Sequence, residues 1–268
     1  MSAWSYARRT ILNPRSRGCF WKHPVQAVRM IAGVAGNQLL SLGERVRASS
    51  RRECPVCGWQ GYRFRTFVSP EAVIRSSICP RCGSFDRHRH LVLGIRERLT
   101  ASAGTIPDRI LGLSLSPAMA YLMAHEGLGR CFRSDFDGQD TRLEIDVMAD
   151  LTAAGYRDGA FEWVVCSHVL EHIPELEPAV DELCRILAPG GVAWVQVAWH
   201  DHLEQSHRIP MDPDALDAHA WCFGRDTEDF LARPGWTVTR RHARDLAPSD
   251  RRRYSIHPEE RYWILQRT

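Results

Sequence analysis

Four cysteines occur as two CxxC pairs, and a glycine follows each pair. Cys54 and Cys57 form the first pair, and Cys79 and Cys82 form the second. The two-residue gap lets both sulfurs of a pair point at one ion, and the glycine permits the tight turn behind them. Zinc suits four thiolates best, with iron as the lesser alternative. Because four protein ligands leave no open coordination position, we predict a structural zinc site.

This region has two other interpretations. A pair of redox-active CxxC motifs lacks the thioredoxin-like βαβ context around either pair. His88 and His90 follow the second pair, where they could replace a ligand or bind anions. Capping or packing at the start of the next helix is the favoured role for both histidines.

A second group of residues with acid–base or metal-binding side chains follows an apolar run. Phe161–Cys166 is typical of a buried parallel strand, and it leads into Ser167 and the sequence His168-Val-Leu-Glu-His172. This sequence matches the H-x-x-E-H pattern of inverted zincin proteases. A protease needs that pattern inside a long helix, whereas here it follows a strand and Pro174 interrupts it. We therefore disfavour a protease.

His200 lies just past the next apolar strand, where the sequence reads His200-Asp-His202. In open α/β sheets, sites form at the carboxyl ends of the strands, and an imidazole has a suitable pKa for a general base near neutrality. The candidate general bases are thus His168, His172, His200, Asp201 and His202, of which we favour the histidines at 168, 172 and 200 as catalytic. The alternative for each is an ordinary surface or packing histidine.

Strand and helix patterns alternate through the rest of the chain. Strands are predicted at Arg109–Leu113, Cys131–Ser134, Leu143–Val147, Phe161–Cys166, Val192–Val197, Trp236–Arg241 and Tyr262–Gln266, and helices at Leu91–Leu99, Pro117–His125, Pro178–Leu187 and Thr227–Ala232. Such alternation indicates βαβ units and a mostly parallel sheet.

Composition and charge restrict the class of protein. Nine cysteines is an odd number and, with the CxxC pairs, it indicates reduced thiols with a metal and a cytoplasmic location. No apolar run reaches the roughly 18 residues of a membrane span, and no secretory signal is recognisable. Residues 1–52 carry a net charge of +9 and the remainder −6, which argues against a large nucleic-acid footprint on the catalytic part.

We divide the chain into three parts. Residues 1–52 form a basic arm, residues 53–90 the four-cysteine module, and residues 91–268 the catalytic domain. Within the arm, residues 24–47 show the spacing of a short amphipathic helix, which could pack on the body, lie at a membrane interface or mediate contact with a partner or a second copy. A solvated leader is the simpler interpretation of the arm.

The stretch from Phe161 to Gly191, with its His-Val-Leu-Glu-His loop and Leu187-Ala-Pro-Gly-Gly turn, resembles class I S-adenosylmethionine (SAM)-dependent methyltransferases (type 11-like). The sequence Cys79-Pro-Arg-Cys-Gly-Ser-Phe-Asp-Arg-His-Arg89 and the late motif Trp221-Cys-Phe-Gly-Arg-Asp226 are similar to a bacterial subgroup with an N-terminal zinc ribbon. The resemblance covers about residues 53–241. It implies a Rossmann-like sheet, mostly parallel with an antiparallel last strand, behind a zinc ribbon.

The resemblance also implies a SAM pocket. The methionine side would be lined by Gly112, Ser114 and Ser116, which stand where the family usually has three glycines. Asp135, or Asp137 if the strand ends later, would accept hydrogen bonds from the ribose. The remaining implied residues are Asp150 and Leu151 at adenine, Ser167 and His168 at the sulfonium, and His219, Trp221 and Arg225 on the acceptor side.

These observations predict a methyltransferase acting on a small molecule or glycan, with an oxygen acceptor, in a bacterial biosynthetic pathway. Two alternatives remain open. One is an RNA or protein methyltransferase that uses the ribbon and the arm to hold its substrate. The other is a non-catalytic scaffold, which the glycine-poor loop motivates.

Overall fold

A computed structural model describes residues 51–68, 73–102, 105–126, 128–136, 145–210 and 219–267. The arm helix expected at 24–47 and the alternative ribose residue Asp137 therefore lie outside the described residues. The elements in chain order are β1 (Arg52–Glu53), β2 (Gln60–Gly61), β3 (Arg65–Val68), β4 (Val73–Ile78), α1 (Asp86–Ala101), β5 (Arg109–Leu113), α2 (Pro117–His125), β6 (Arg130–Asp135), β7 (Val147–Met148), β8 (Phe161–Ser167), α3 (Leu176–Ile186), β9 (Leu187–Gln196), β10 (His207–Arg208), β11 (Trp221–Cys222), α4 (Thr227–Leu231), β12 (Trp236–His242), α5 (Pro248–Tyr254) and β13 (Arg261–Arg267).

Seven strands form one sheet in the order β12-β13-β9-β8-β5-β6-β7. The five strands β9, β8, β5, β6 and β7 are parallel to one another, whereas β13 runs antiparallel to both β9 and β12. This arrangement confirms the predicted mostly parallel sheet with an antiparallel last strand. Because the parallel strands all end at one edge, the segments that follow β5, β6, β7, β8 and β9 gather there.

The central strands are apolar because both of their faces are buried. Successive residues of a strand point to opposite faces, so Ile110 packs with α1 and α2 while Leu111 packs on the α3 side. Val164 and Val165 alternate in the same way, and all four side chains are fully buried. This burial explains why these strands show continuous apolar runs rather than alternation.

Most predicted elements are found, with shifted ends. β5 and α2 have the predicted bounds. β9 begins at Leu187, five residues before the predicted Val192, because its first residue pairs with Phe161 before a register shift. α1 begins at Asp86 rather than Leu91, so the last residues assigned to the cysteine module form the first turn of a helix. Within the described part of the chain, no helix is long and apolar enough to cross a membrane.

His88 and His90 have the favoured roles of capping and packing. His88 Nδ1 accepts a hydrogen bond from the Phe85 amide, 3.2 Å away, at the start of α1. His90 is buried, and its ring contacts that of Tyr262 with 4.8 Å between centroids. Burial lowers the pKa of His90 to about 4, so its ring is neutral in the folded protein near neutral pH.

Arg89 joins the cysteine module to the end of α5. Its side chain is fully buried and lies over the Phe64 ring, 4.0 Å from the ring centroid. The guanidinium donates to the carbonyls of Ser77 and Ser84, each at 2.8 Å, within the module. It also donates to the last residue of α5, Tyr254, at 2.6 Å and to the next residue, Ser255, at 2.7 Å.

We expect Arg89→Leu to lower the free energy of unfolding by roughly 3 kcal/mol or more, because several buried carbonyls would lose their donor. Chemical denaturation measures this change. The matched control is Arg244→Leu, since Arg244 is largely exposed in its ion pair with Glu259 and such pairs contribute about 0–1 kcal/mol. Equal effects of the two substitutions would contradict the role assigned to Arg89.

Candidate functional site

The four cysteines of the two pairs converge on one point. The sulfurs of Cys54 and Cys82 are 3.7 Å apart, as are those of Cys57 and Cys79, and all four lie within 4.8 Å of one another. A disulfide would need about 2.05 Å. Four sulfurs around one tetrahedral zinc, with Zn–S bonds of about 2.3 Å, lie about 3.8 Å apart. The cluster therefore has the spacing of a metal site.

Matching turns shape the two halves of the cluster. The Gly58 amide donates to the Cys54 carbonyl, and the Gly83 amide donates to the Cys79 carbonyl. Both glycines have positive φ, +67° and +75°, a conformation that other residues adopt at a cost. Each glycine thus serves the turn that its place after CxxC predicts.

Ionisation within the cluster is unequal. Hydrogen bonds from Cys79 and Cys82 lower the pKa of Cys54 to about 2. Burial raises the pKa of Cys57 to about 12, and the contact with Cys54 raises that of Cys79. One thiolate thus opposes the ionisation of its neighbours, and a cation is needed before all four sulfurs can act as thiolates.

The predicted cofactor residues follow the carboxyl ends of neighbouring strands. Ser114 comes directly after β5, and its hydroxyl donates to Oδ1 of Asp135, the last residue of β6, at 2.5 Å. Ser114 has a φ of +46°, a strained conformation for a residue with a Cβ. The structure therefore brings these two predicted residues into contact.

Gly112 and Ser116, on either side of Ser114, have structural roles. Gly112 is buried inside β5, and a Cβ added there would lie 2.1 Å from a methyl carbon of Leu115. The folded-back side chain of Leu115 thus accounts for the glycine. Ser116 caps the N-terminus of α2 by accepting a hydrogen bond from the Met119 amide.

The two predicted residues after β7 differ in their exposure to solvent. Asp150 is exposed, and its Oδ1 accepts hydrogen bonds from the amide and hydroxyl of Thr152, both at 2.8 Å. Leu151 is buried in the core on the α3 side of the sheet. Phe136 and Met148, which sequence reasoning missed, are 68% and 66% exposed. They leave an apolar surface beside Asp135.

Past β8, His168 forms an acid–base pair with the buried Glu171. His168 Nδ1 lies 2.8 Å from Glu171 Oε1, and the Glu171 side chain has no exposed surface. The Ala198 amide donates to the same oxygen at 2.9 Å. His168 has a φ of +58°, so a strained backbone turns it toward the strand ends.

The carboxyl of Glu171 is ionised despite its burial. Burial by itself raises the pKa of Glu171, but the charge and hydrogen bond of His168 outweigh it and leave that pKa below its usual value. The Glu171 carboxylate faces Nδ1 of the His168 ring and can stabilise a proton on that imidazole. Sequence reasoning named His168 and missed Glu171, although the His-x-x-Glu spacing was a usable signal.

A buried glutamine connects this pair to the cysteine module. Gln196, at the end of β9, accepts a hydrogen bond from the Ser167 hydroxyl at 2.8 Å and donates to the Arg87 carbonyl in α1 at 3.1 Å. His88 is close enough for the charge of His168 to add to the burial that lowers the His88 pKa. The first turn of α1 thus borders the site.

The late aromatic motif folds onto the loop after β8. Trp221 Nε1 donates to the Pro174 carbonyl at 3.2 Å, and the rings of His172 and His219 lie 4.8 Å apart. His200 is near His202, with 5.6 Å between ring centroids, and burial followed by neighbouring histidines lowers the His200 pKa. Arg225 pairs with Glu204 at the surface.

Comparison with known proteins supports a catalytic assignment. Residues 95–195 match a family model described as a methyltransferase domain. No curated protein sequence matches the chain. The match supports the enzyme class predicted from the sequence, a SAM-dependent methyltransferase.

Solved structures show more distant similarity. One is a chain of the complex between the Haloferax volcanii Trm112 methyltransferase activator and its methyltransferase, at 15% identity over 68% of this chain and 90% of that chain, with a TM-score of 0.45. Another is a SAM-dependent methyltransferase from Mesorhizobium loti, at 14% identity over 63% of this chain and 96% of that chain, also with a TM-score of 0.45.

The strained backbone of Ser114 leads to a stability prediction. Ser114→Gly and Ser114→Ala both remove the hydroxyl that reaches Asp135, but only glycine relieves the positive φ. We expect the glycine variant to be about 1 kcal/mol more stable than the alanine variant in chemical denaturation.

The same pair of substitutions at Ser102 is the control for Ser114. Ser102 has an ordinary φ of −84°, so glycine should bring no such gain there. Equal stability of the two Ser114 variants would argue against backbone strain at that position.

Proposed function

We propose that this methyltransferase transfers a methyl group from SAM to an oxygen of a small-molecule or glycan acceptor. The single observation that carries the proposal is the contact between His168 and the fully buried Glu171 at the carboxyl edge of the sheet. A base at this edge, next to the predicted cofactor residues, suits an acceptor hydroxyl that must lose its proton.

The residues around β5 and β6 fit the cofactor. Asp135 has one carboxylate oxygen held by Ser114, which orients the other oxygen toward a ribose hydroxyl. The exposed faces of Phe136 and Met148 suit contact with adenine. Ser116, Asp150 and Ser167 complete the proposed pocket, while Leu151 would support it from the core.

The proposed chemistry is an in-line displacement. SAM supplies a methyl group on a positively charged sulfur. An acceptor oxygen forms the new O–CH3 bond while the S–CH3 bond breaks with its electron pair left on sulfur. The proton of the hydroxyl passes to the imidazole of His168, and the Glu171 carboxylate stabilises the imidazolium that results. Alignment of the two reactants supplies much of the acceleration.

We also propose that Cys54, Cys57, Cys79 and Cys82 bind a structural zinc ion. The spacing of their sulfurs supports this assignment. With four thiolates the ion would have no open position, so its role is to fix the module against α1. A cytoplasmic location, inferred from this pattern of reduced cysteines, stays a prediction.

Cofactor binding is tested by calorimetric titration with SAM. We expect Asp135→Ala to weaken binding about 10–100-fold, because a charge-assisted hydrogen bond contributes about 1.5–3 kcal/mol. The control is Asp158→Ala, since Asp158 is 81% exposed in a surface ion pair with Arg185. Equal affinities of the Asp135 variant and the wild type would remove the ribose assignment. No heat at millimolar SAM would favour the scaffold alternative.

The acceptor is tested by mass spectrometry of a metabolite pool incubated with the protein and methyl-labelled SAM. We expect a labelled methyl on a hydroxyl of a small molecule or saccharide. His168→Asn should lower kcat about 10²–10⁴-fold, the usual contribution of a general base, with little change in SAM affinity. His257→Asn, at an exposed histidine elsewhere, is the control. Label on RNA or protein would overturn the acceptor assignment.

Zinc binding is tested on cobalt-substituted protein. The wild type should show the charge-transfer absorption of cobalt bound to thiolates, and Cys57→Ser should weaken that absorption and lower Tm. Cys131→Ser, at a half-buried cysteine of β6 outside the cluster, should leave both unchanged. A wild-type protein without thiolate-to-cobalt absorption would refute the metal site.

A further inference from the structure

A buried carboxylate oxygen lacks a hydrogen-bond partner near the acceptor side. Glu171 Oε1 is engaged by His168 and by the Ala198 amide. Glu171 Oε2 is buried, and no hydrogen bond reaches it from the part of the chain that the structure describes. An unsatisfied buried polar atom costs about 1–3 kcal/mol, and more when it belongs to a charged group. A positively charged ligand at Oε2 would remove that cost.

Two histidines lie beside this carboxylate. His172 follows Glu171 directly, and His219 arrives from the segment before β11. The Ala220 amide holds that segment in place by donating to the Glu171 carbonyl at 2.7 Å. A carboxylate oxygen of Glu171 and one ring nitrogen of each histidine lie within 4.8 Å of one another.

Two imidazoles and a carboxylate are a ligand set for zinc and related divalent ions. We propose that Glu171, His172 and His219 bind a divalent transition-metal ion. The arrangement differs from that of an inverted zincin, because His168 is turned to Glu171 and His219 comes from a distant part of the chain. Both histidines of the set are only half-buried, so an ion can reach them from solvent.

Three protein ligands leave a coordination position open. An acceptor hydroxyl bound there would have a lowered pKa, because the ion stabilises the alkoxide. His168, which shares Glu171 with the proposed ion, would then receive the hydroxyl proton. This role rests on the proposed methyl transfer, whereas the binding of the ion does not. The proposed ion would therefore select an acceptor that offers an oxygen ligand.

Cobalt binding tests the site on the full chain. The protein is first loaded with one equivalent of zinc to fill the proposed cysteine site, from which Co²⁺ should not displace it. Equilibrium dialysis should give one additional Co²⁺ per chain, with d–d absorption but no thiolate charge-transfer absorption. His219→Ala should weaken this binding about 100-fold or more, since even residues behind the ligands contribute 10–100-fold. Glu171→Gln should have the same effect.

His207→Ala is the matched control, because His207 is an exposed histidine nearby that lies outside the set. It should keep the cobalt site. Circular dichroism identifies a variant that fails to fold. If Glu171→Gln fails to fold, the test of the metal site rests on His219→Ala. Absence of the additional cobalt in the wild type, or its retention in His219→Ala, would overturn the inference, as would its loss in His207→Ala.

Titration with SAM of the same variants separates the two proposals. A protein that binds cobalt at this site but gives no heat with SAM would keep the metal site and lose the proposed methyl transfer. A protein that binds SAM and methylates an acceptor without the additional cobalt would keep the function and lose the metal site.

Discussion

The buried guanidinium of Arg89 is the interaction on which the arrangement of the molecule depends. Its donors satisfy carbonyls that belong to the cysteine module and to the end of α5, which are far apart in sequence. Burial lowers the pKa of Arg89, while the charges of Asp86 and of the cysteine thiolates act in the opposite direction. The cysteine cluster thus provides part of the negative charge that a buried cation needs.

The cysteine module consequently borders the active edge of the sheet. α1 begins at the module, and its first turn contacts the ends of β8 and β9 through Gln196. His88 in the same turn is buried near His168. A disturbance of the cysteine cluster would therefore move the wall of the proposed acceptor site. The proposed zinc ion would in this way affect catalysis without lying among the reacting atoms.

The glycine-poor loop after β5 contains a left-handed backbone conformation at a serine instead of a glycine. Ser114 adopts a positive φ that glycine would adopt without strain, and its hydroxyl gains a hydrogen bond to Asp135 that glycine could not form. The serine thus adds backbone strain to the loop, but its hydrogen bond fixes the position of the Asp135 carboxylate. His168 shows the same exchange, because its strained backbone accompanies the contact with Glu171.

Much of this protein could be predicted from local patterns. Apolar strands that alternate with helices along the chain predicted the parallel sheet. Each of these strands is a continuous apolar run because both of its faces are buried. The CxxC-Gly repeats predicted the convergence of Cys54 with Cys82, because the two-residue gap and the following glycine determine where the sulfurs point. The position of His168 at a strand end also followed from the pattern, since the ends of parallel strands meet at one edge.

Other features depended on contacts between distant segments. Only the tertiary structure showed that Glu171 is buried and that His219 comes from another loop to reach it. The bulge that starts β9 early depends on pairing with Phe161. Arg89 looked like one of many arginines until its partners at Tyr254 and Ser255 were placed. Sequence alone determined the residue types and the order of the strands, whereas burial and long-range hydrogen bonding decided which of those residues meet in the candidate site.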